Sequence, residues 1–249
     1  MKVDRAPKLK LMILRDTFDI VFLSWVPNGK FKNFARRLLM KKADLSFYGI
    51  ARKGDVVVQG GCFMIETVRK WSDAVGVSGK VIVIEADKKN VDILKEEISR
   101  RNLSNVILVH SGLWDKKDTL ELDVSDNSNK NKLSLDNIHS KILTKDDYKS
   151  KDTIDVDCLD NILTDLGISK VNAVYLTVSG AEREVLEGMN QLIDRCNPLI
   201  WIRCSFFDSK RGKHTSLTSK EFLESKGYKV TFKGFEMKGV ARNLFAHKK

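Results

Sequence analysis

From Gly54-Asp55 onward the chain alternates short, nearly unbroken Val/Ile runs with segments of helical periodicity. No other feature restricts the fold as much. Strands without a polar alternation are buried on both faces, and that requires helices on both sides of a parallel sheet. The pattern predicts strand Val56–Gln59, helix Ile65–Val75, strand Lys80–Glu85, helix Asn90–Arg101 and strand Asn105–His110, which is two βαβ units in immediate succession. Further on it predicts helix Asp157–Gly167, strand Ala173–Thr177, helix Glu182–Arg195 and strand Leu199–Cys204. A helix Ser219–Lys226, closed by Gly227, then leads into strands Lys229–Lys233 and Asn243–Ala246, expected as an antiparallel pair. The expected class is α/β: a doubly wound, mostly parallel, Rossmann-like sheet with antiparallel C-terminal strands.

Two segments stand outside this alternation. Residues 1–47 read as an amphipathic helical extension, with apolar positions from Leu9 to Trp25 at helical spacing, a Pro27-Asn28-Gly29 break, and a basic amphipathic helix from Phe31 to Lys42. That second helix suits either packing on the domain or contact with an anionic membrane surface. Residues 48–249 then form the α/β domain, interrupted by a polar insertion at 125–152, rich in Asn, Ser, Lys and Asp, which reads as a lid over the sheet or a surface loop.

Composition removes several classes. With 249 residues and 42% hydrophobic content the chain can bury a sizeable core. The apolar stretch near the start is broken by Arg15 and Asp19, well short of the roughly 20 residues that span a bilayer, so no transmembrane helix and a cytoplasmic location are expected. Cys62, Cys158, Cys196 and Cys204 lie far apart without a C-x-x-C, so neither a disulfide framework nor a metal site is signalled. The net charge of +11 favours an anionic partner and leaves RNA open as one.

In an open parallel sheet a ligand sits beyond the carboxyl ends of the strands, where the first strand turns into its helix. Here that turn reads Gln59-Gly60-Gly61-Cys62, and its two glycines serve either close approach of a ligand to the backbone or a tight turn alone. The second strand ends in Glu85-Ala86-Asp87, with Glu85 24 residues after Gly61. A carboxylate about 20 residues beyond a glycine turn accepts the two hydroxyls of an adenosine ribose. Its plain alternative is a strand-end carboxylate facing water. After the third strand, Ser111-Gly112-Leu113-Trp114-Asp115 offers a surface for a purine, or places Trp114 in the core. His110, His214 and Glu182 are candidate proton acceptors, Glu182 equally suiting the first turn of a helix.

These turns resemble class I S-adenosylmethionine-dependent methyltransferases, and from about Tyr48 to Lys249 the sequence resembles the FkbM-type family. The resemblance is carried by Tyr48-Gly49-Ile50 with Lys53-Gly54-Asp55-Val56-Val57, by Ile84-Glu85-Ala86-Asp87, by Asn105-Val106 with Leu113-Trp114-Asp115, and by Asn243-Leu244-Phe245-Ala246. Its most specific blocks are Val174-Tyr175-Leu176-Thr177-Val178-Ser179-Gly180-Ala181-Glu182 and Val185-Leu186-Glu187-Gly188. It implies S-adenosylmethionine as cofactor, bound by Gln59, Gly60, Gly61, Cys62, Glu85, Ala86, Gly112, Leu113, Trp114 and Thr177, and O-methylation of a small molecule or glycan.

The chain departs from the family at functional positions. Gln59 stands where the family carries Asp, Ile65 where it has a further glycine, and Thr177 and Ser179 where it has Asp and Glu. Each lost charge-assisted hydrogen bond is worth on the order of 1.5–3 kcal/mol, so weakened cofactor binding, or a catalytically silent binding module, is the alternative expectation. On sequence grounds, Gln59→Asp is expected to tighten binding by restoring a charge.

Overall fold

The protein's structure is a computed structural model, and it describes residues 51–62, 64–124, 132–133, 138–139, 150–204, 206–208, 210–233 and 242–248. The helical extension expected over residues 1–47 lies outside them. In chain order the elements begin with β1 (Val56–Gly60), α1 (Ile65–Val75), β2 (Lys80–Glu85), α2 (Lys88–Arg100) and β3 (Val106–His110). There follow β4 (Gly112–Trp114), β5 (Asp118–Val124), β6 (Lys132–Leu133), β7 (Ile138–His139), β8 (Ser150–Cys158) and α3 (Leu159–Asp165). The second half holds β9 (Ala173–Leu176), α4 (Glu182–Glu187), α5 (Asn190–Cys196), β10 (Leu199–Cys204), β11 (Phe207–Asp208), β12 (Lys213–His214), α6 (Thr215–Ser225), β13 (Lys229–Lys233) and β14 (Arg242–His247).

The main sheet has seven strands in the order β13-β14-β10-β9-β1-β2-β3. It is parallel from β3 to β10, and β14 pairs antiparallel with both β10 and β13. Strand order reverses between β1 and β9, which makes their carboxyl ends the switch point of the doubly wound sheet.

Strand residues alternate between two cores, as the pleat requires. Val58, Ile82, Ile84, Val174, Leu176, Ile200 and Ile202 enter one core with Leu159, Leu163, Val185, Leu192 and Leu223 of α3 to α6. Val57, Val81, Val83, Tyr175 and Phe245 enter the other with Val68, Trp71 and Val75 of α1 and Leu94 of α2. Because both faces are covered, the strands carry little polar alternation, and for that reason they were legible as continuous apolar runs.

Three local expectations need correcting. Ser150, Lys151 and Asp152, counted with the polar insertion, belong to β8, which pairs antiparallel with β5 from Asp118↔Val156 to Val124↔Ser150. The helix expected from Asp157 starts only at Leu159 for the same reason. The helix expected over Glu182–Arg195 is two helices, α4 and α5, broken at Gly188-Met189. A Cβ on Gly188 would run into the Trp114 carbonyl, so only glycine fits where α4 ends against β4. α5 then restarts with Asp160 as its cap: its carboxylate accepts from the amides of Gln191 and Leu192, both at 2.8 Å.

Candidate active site

The site assembles on the carboxyl crest of β1, β2 and β9. Parallel register places Gln59 between Val83 and Tyr175, and Gly60 between Ile84 and Leu176. The ladder continues one step further, since the Gly61 amide donates to the Ile84 carbonyl and the Thr177 amide to the Gly60 carbonyl, both at 2.8 Å. The next row on the face of α1 is therefore Glu85, Gly61 and Thr177, with Gln59 one row beneath Gly61.

Gly61 has φ +77°, in the left-handed region, and a Cβ there would run into the Thr177 carbonyl. A Cβ on Gly60 would crowd the Leu113 and Leu176 side chains, and one on Gly112 would crowd Val156. The three glycines are thus needed by the packing of the crest itself.

Glu85 is buried, at 8% exposure. Its Oε2 accepts from the Cys62 amide at 2.5 Å, and its Oε1 from the Asp87 amide at 3.0 Å and the Asn90 side chain at 3.2 Å. Burial raises its pKa above the ordinary carboxylate value, and those three donors pull it back down. The strand-end carboxylate facing water is thereby ruled out. Oε2, with one protein donor, keeps acceptor capacity for a further partner. The same burial pushes the neighbouring Cys62 thiol up to about 11, so it stays protonated and unreactive at neutral pH.

Gln59 is 2% exposed, and its orientation is fixed by its neighbours. Nε2 donates to Thr67 Oγ1 at 3.0 Å and to the Gly61 carbonyl at 3.4 Å. Thr67 spends its own proton on the Met64 carbonyl at 2.8 Å, so both groups facing Nε2 are acceptors. Oε1 therefore points the other way, and it is a buried acceptor with no donor. Thr177 also donates to the Gly61 carbonyl, through Oγ1 at 2.8 Å.

Around this centre, Leu113 is buried, while Ala86 and Trp114 are partly buried against the same core. His110 is exposed, with Nε2 3.3 Å from the Ala86 carbonyl. His214 caps α6: its Nδ1 accepts from the Ser216 amide at 3.2 Å, which puts the proton of the neutral ring on Nε2. Glu182 is wholly buried, with neither carboxyl oxygen in a well-aligned hydrogen bond. Desolvation, opposed by the Gly180 and Glu182 amides and the Thr215 hydroxyl, raises its pKa to about 7.

Sequence reasoning named Gln59 and Thr177 but missed what joins them and Thr67. A donor-bearing Gln where an acid is expected, with a Thr at the facing strand end, is the signal that was available. No group of three or more His, Cys, Asp and Glu side chains suited to a metal occurs among the described residues. No helix among them is long and apolar enough to cross a membrane.

Residues 51–230 match the family model described as the Methyltransferase FkbM domain. The chain belongs to the FkbM methyltransferase domain family. This FkbM domain resembles the crystal structure of methyltransferase FkbM from Methylobacillus flagellatus KT, with a TM-score of 0.54 and 14% identity over 98% of this chain and 62% of that one. It therefore spans less than two thirds of that protein. Precorrin-6y C5,15-methyltransferase from Geobacter metallireducens GS-15 is similar at a TM-score of 0.50 and 14% identity, over 81% of this chain and 84% of that one. At such identities the likeness carries the fold, a class I methyltransferase sheet. A comparison with functionally curated proteins gives no significant match.

Proposed function

We propose that this FkbM domain binds S-adenosylmethionine on the crest of β1, β2 and β9 and O-methylates a small molecule or glycan. The observation that carries the reading is Glu85, a buried carboxylate hydrogen-bonded to the glycine turn at 2.5 Å and still able to accept at Oε2. The residues fit the cofactor by donor and acceptor chemistry. Ribose hydroxyls and an ammonium are donors, and the crest supplies acceptors: Glu85 Oε2 for the former and the orphaned Gln59 Oε1 for the latter.

When bound, the cofactor supplies a methyl group on a positively charged sulfur, open to direct displacement by an acceptor oxygen. The chain's task is alignment, since a displacement between held partners needs little beyond correct geometry. Cys62 and Asp87, through their amides, and Asn90 hold the Glu85 carboxylate in one orientation. Leu113, Ala86 and Trp114 form the apolar side of the crest next to the end of β3. Neither Glu182, sealed from solvent, nor His214, with Nδ1 committed to capping α6, is placed to take a proton from an acceptor hydroxyl.

Calorimetry on the full chain tests the reading. S-adenosylmethionine should bind with a measurable dissociation constant, and Glu85→Gln should weaken it at least tenfold, about 1.4 kcal/mol. Absence of binding at millimolar ligand would replace it with the second reading, a silent methyltransferase-like module. That alternative draws on the neutral side chains of Gln59, Thr177 and Ser179 where the family carries acids.

A further inference from the structure

Five buried side-chain oxygens without a well-aligned hydrogen-bond partner belong to α4 and the first two turns of α6, which pack together: both of Glu182, Glu184 Oε2, Thr215 Oγ1 and Ser219 Oγ. Glu182 is wholly buried, and its carboxyl faces the amides of Gly180 and Glu182 and the Thr215 hydroxyl. Buried polar atoms left in this state are costly, and water restores their partners when such a junction opens. Glu182 also closes a loop that leaves the crest. From Thr177, whose Oγ1 donates to the Gly61 carbonyl at 2.8 Å, the chain passes Ser179 at φ +48° and Gly180 at φ +108° and enters α4. A serine in the left-handed region persists only where its surroundings hold it. Here one end of the loop is pinned to the glycine turn and the other lies against the Glu182 carboxyl.

Among the described residues no cation is left over for an ionised Glu182. On its own helix Arg183 is spent on Glu187 at 2.7 Å and on the Thr218 carbonyl at 3.1 Å, while Glu184 repels. On the β11–β12 connection Arg211 is shared by Glu184 and Asp208, at 2.7 and 2.6 Å. Lys213 pairs with Glu221, Lys220 with Glu224, and His214 has Nδ1 on the Ser216 amide. β4, the strand packed on α4, carries no titratable side chain. Desolvation therefore dominates, and the acid is neutral below about 7 and a buried charge above it.

We propose, resting on the cofactor reading above, that Glu182 is a positioning residue for the crest: with its proton in place α4 stays closed on α6 and the loop from Thr177 to Ala181 keeps the shape that meets the glycine turn, and without it the junction admits water and the loop loosens. Glu182 reaches the site only through Thr177 and the Gly61 carbonyl, and takes no part in the transfer itself. Cofactor affinity then falls as pH rises through neutral, in proportion to the fraction of the domain whose loop is held.

Two measurements on the full chain between pH 6 and 8.5 test this: amide hydrogen exchange, corrected for its intrinsic dependence on pH, reads the loop, and isothermal titration with S-adenosylmethionine reads the crest. In wild type, residues 177–182 and 215–219 should lose protection as pH passes about 7, and binding should weaken about fivefold. Glu182→Gln, a neutral isostere, should remove most of both changes, which separates Glu182 from His214, a residue type that titrates in the same range. Thr215→Val takes away one of the three donors to the ionised carboxyl and should move the midpoint to higher pH. Protection independent of pH in wild type, an equal loss in Glu182→Gln, or a midpoint unmoved or lowered in Thr215→Val overturns the inference. Loss of protection at unchanged affinity also overturns it, since the loop would then not position the crest. If S-adenosylmethionine binds at no pH, the cofactor reading fails, and the exchange data alone decide whether Glu182 holds the loop.

Discussion

At the scale of single residues, Glu182 shows how position in the fold overrides an expected role. A carboxylate in the first turn of a helix is ordinarily stabilising, because it faces the positive end of the helix dipole. Here the side chain is fully buried and its pKa is raised to about 7 against 4.5 for the free group. As pH rises through that window the unfolded chain gives up its proton before the folded one does. Stability contributed by the protonated acid is therefore complete below about pH 4.5 and lost as pH passes 7, on the order of 3 kcal/mol in total. Glu182→Gln should raise the melting temperature by several degrees at pH 8 and make little difference at pH 4.5, measured by thermal denaturation at both values. A variant that melts lower than wild type at pH 8 would mean that the charged form is supported by the fold. The neighbouring Glu184, whose Oε1 accepts from Arg211 at 2.7 Å, adds to the raised pKa by like-charge repulsion.

At the scale of elements, periodicity located those strands and helices whose environment is uniform along their length, and failed where one neighbour intervenes. Lys151, Asp152, Asp155 and Asp157 give β8 the composition of a polar loop. Its buried positions are Ile154 and Val156, alternating with exposed residues, and they meet Leu122 of β5 in the same core. That period of two is the mark of a strand with one wet face, and it was present in the sequence. The break between α4 and α5 falls at Gly188, the C-cap of α4, where a Cβ would run into the Trp114 carbonyl, so the packing there admits only glycine. Gly188→Ala should cost about 1–3 kcal/mol through this overpacking, read as a lower urea midpoint at unchanged slope. Were the midpoint unmoved, the approach of α4 to β4 would be looser than described.

At the scale of the whole molecule, the sheet closes with the last strand in sequence placed inside it: β14 lies between β10 and β13, pairing Ile200↔Ala246 on one side and Val230↔Ala246 on the other. Phe245 is buried and stacks on Trp201 at 5.2 Å, and Trp201 in turn lies 4.4 Å from Tyr175, so β14 is coupled through an aromatic row to the strand that carries Thr177. Removing residues 242–249 should thus abolish cooperative unfolding and the near-ultraviolet circular dichroism of these rings, although every crest residue precedes the cut. A cooperative transition in the truncated chain would show that the sheet is complete without β14.

The sequence by itself determined the doubly wound order, the position of the glycine turn and the placement of Glu85 at the end of β2. Each of these follows from short-range pattern: apolar runs buried on both faces, a turn that needs Gly, and a polar residue where the run stops. Only the tertiary structure decided what Gln59 and Thr177 touch. Thr177 and Gly61 are 116 residues apart, and their hydrogen bond exists because parallel pairing of β1 with β9 brings a hydroxyl to a carbonyl. Complementarity between donors and acceptors depends on orientation in space, and a linear pattern of residue types carries no orientation.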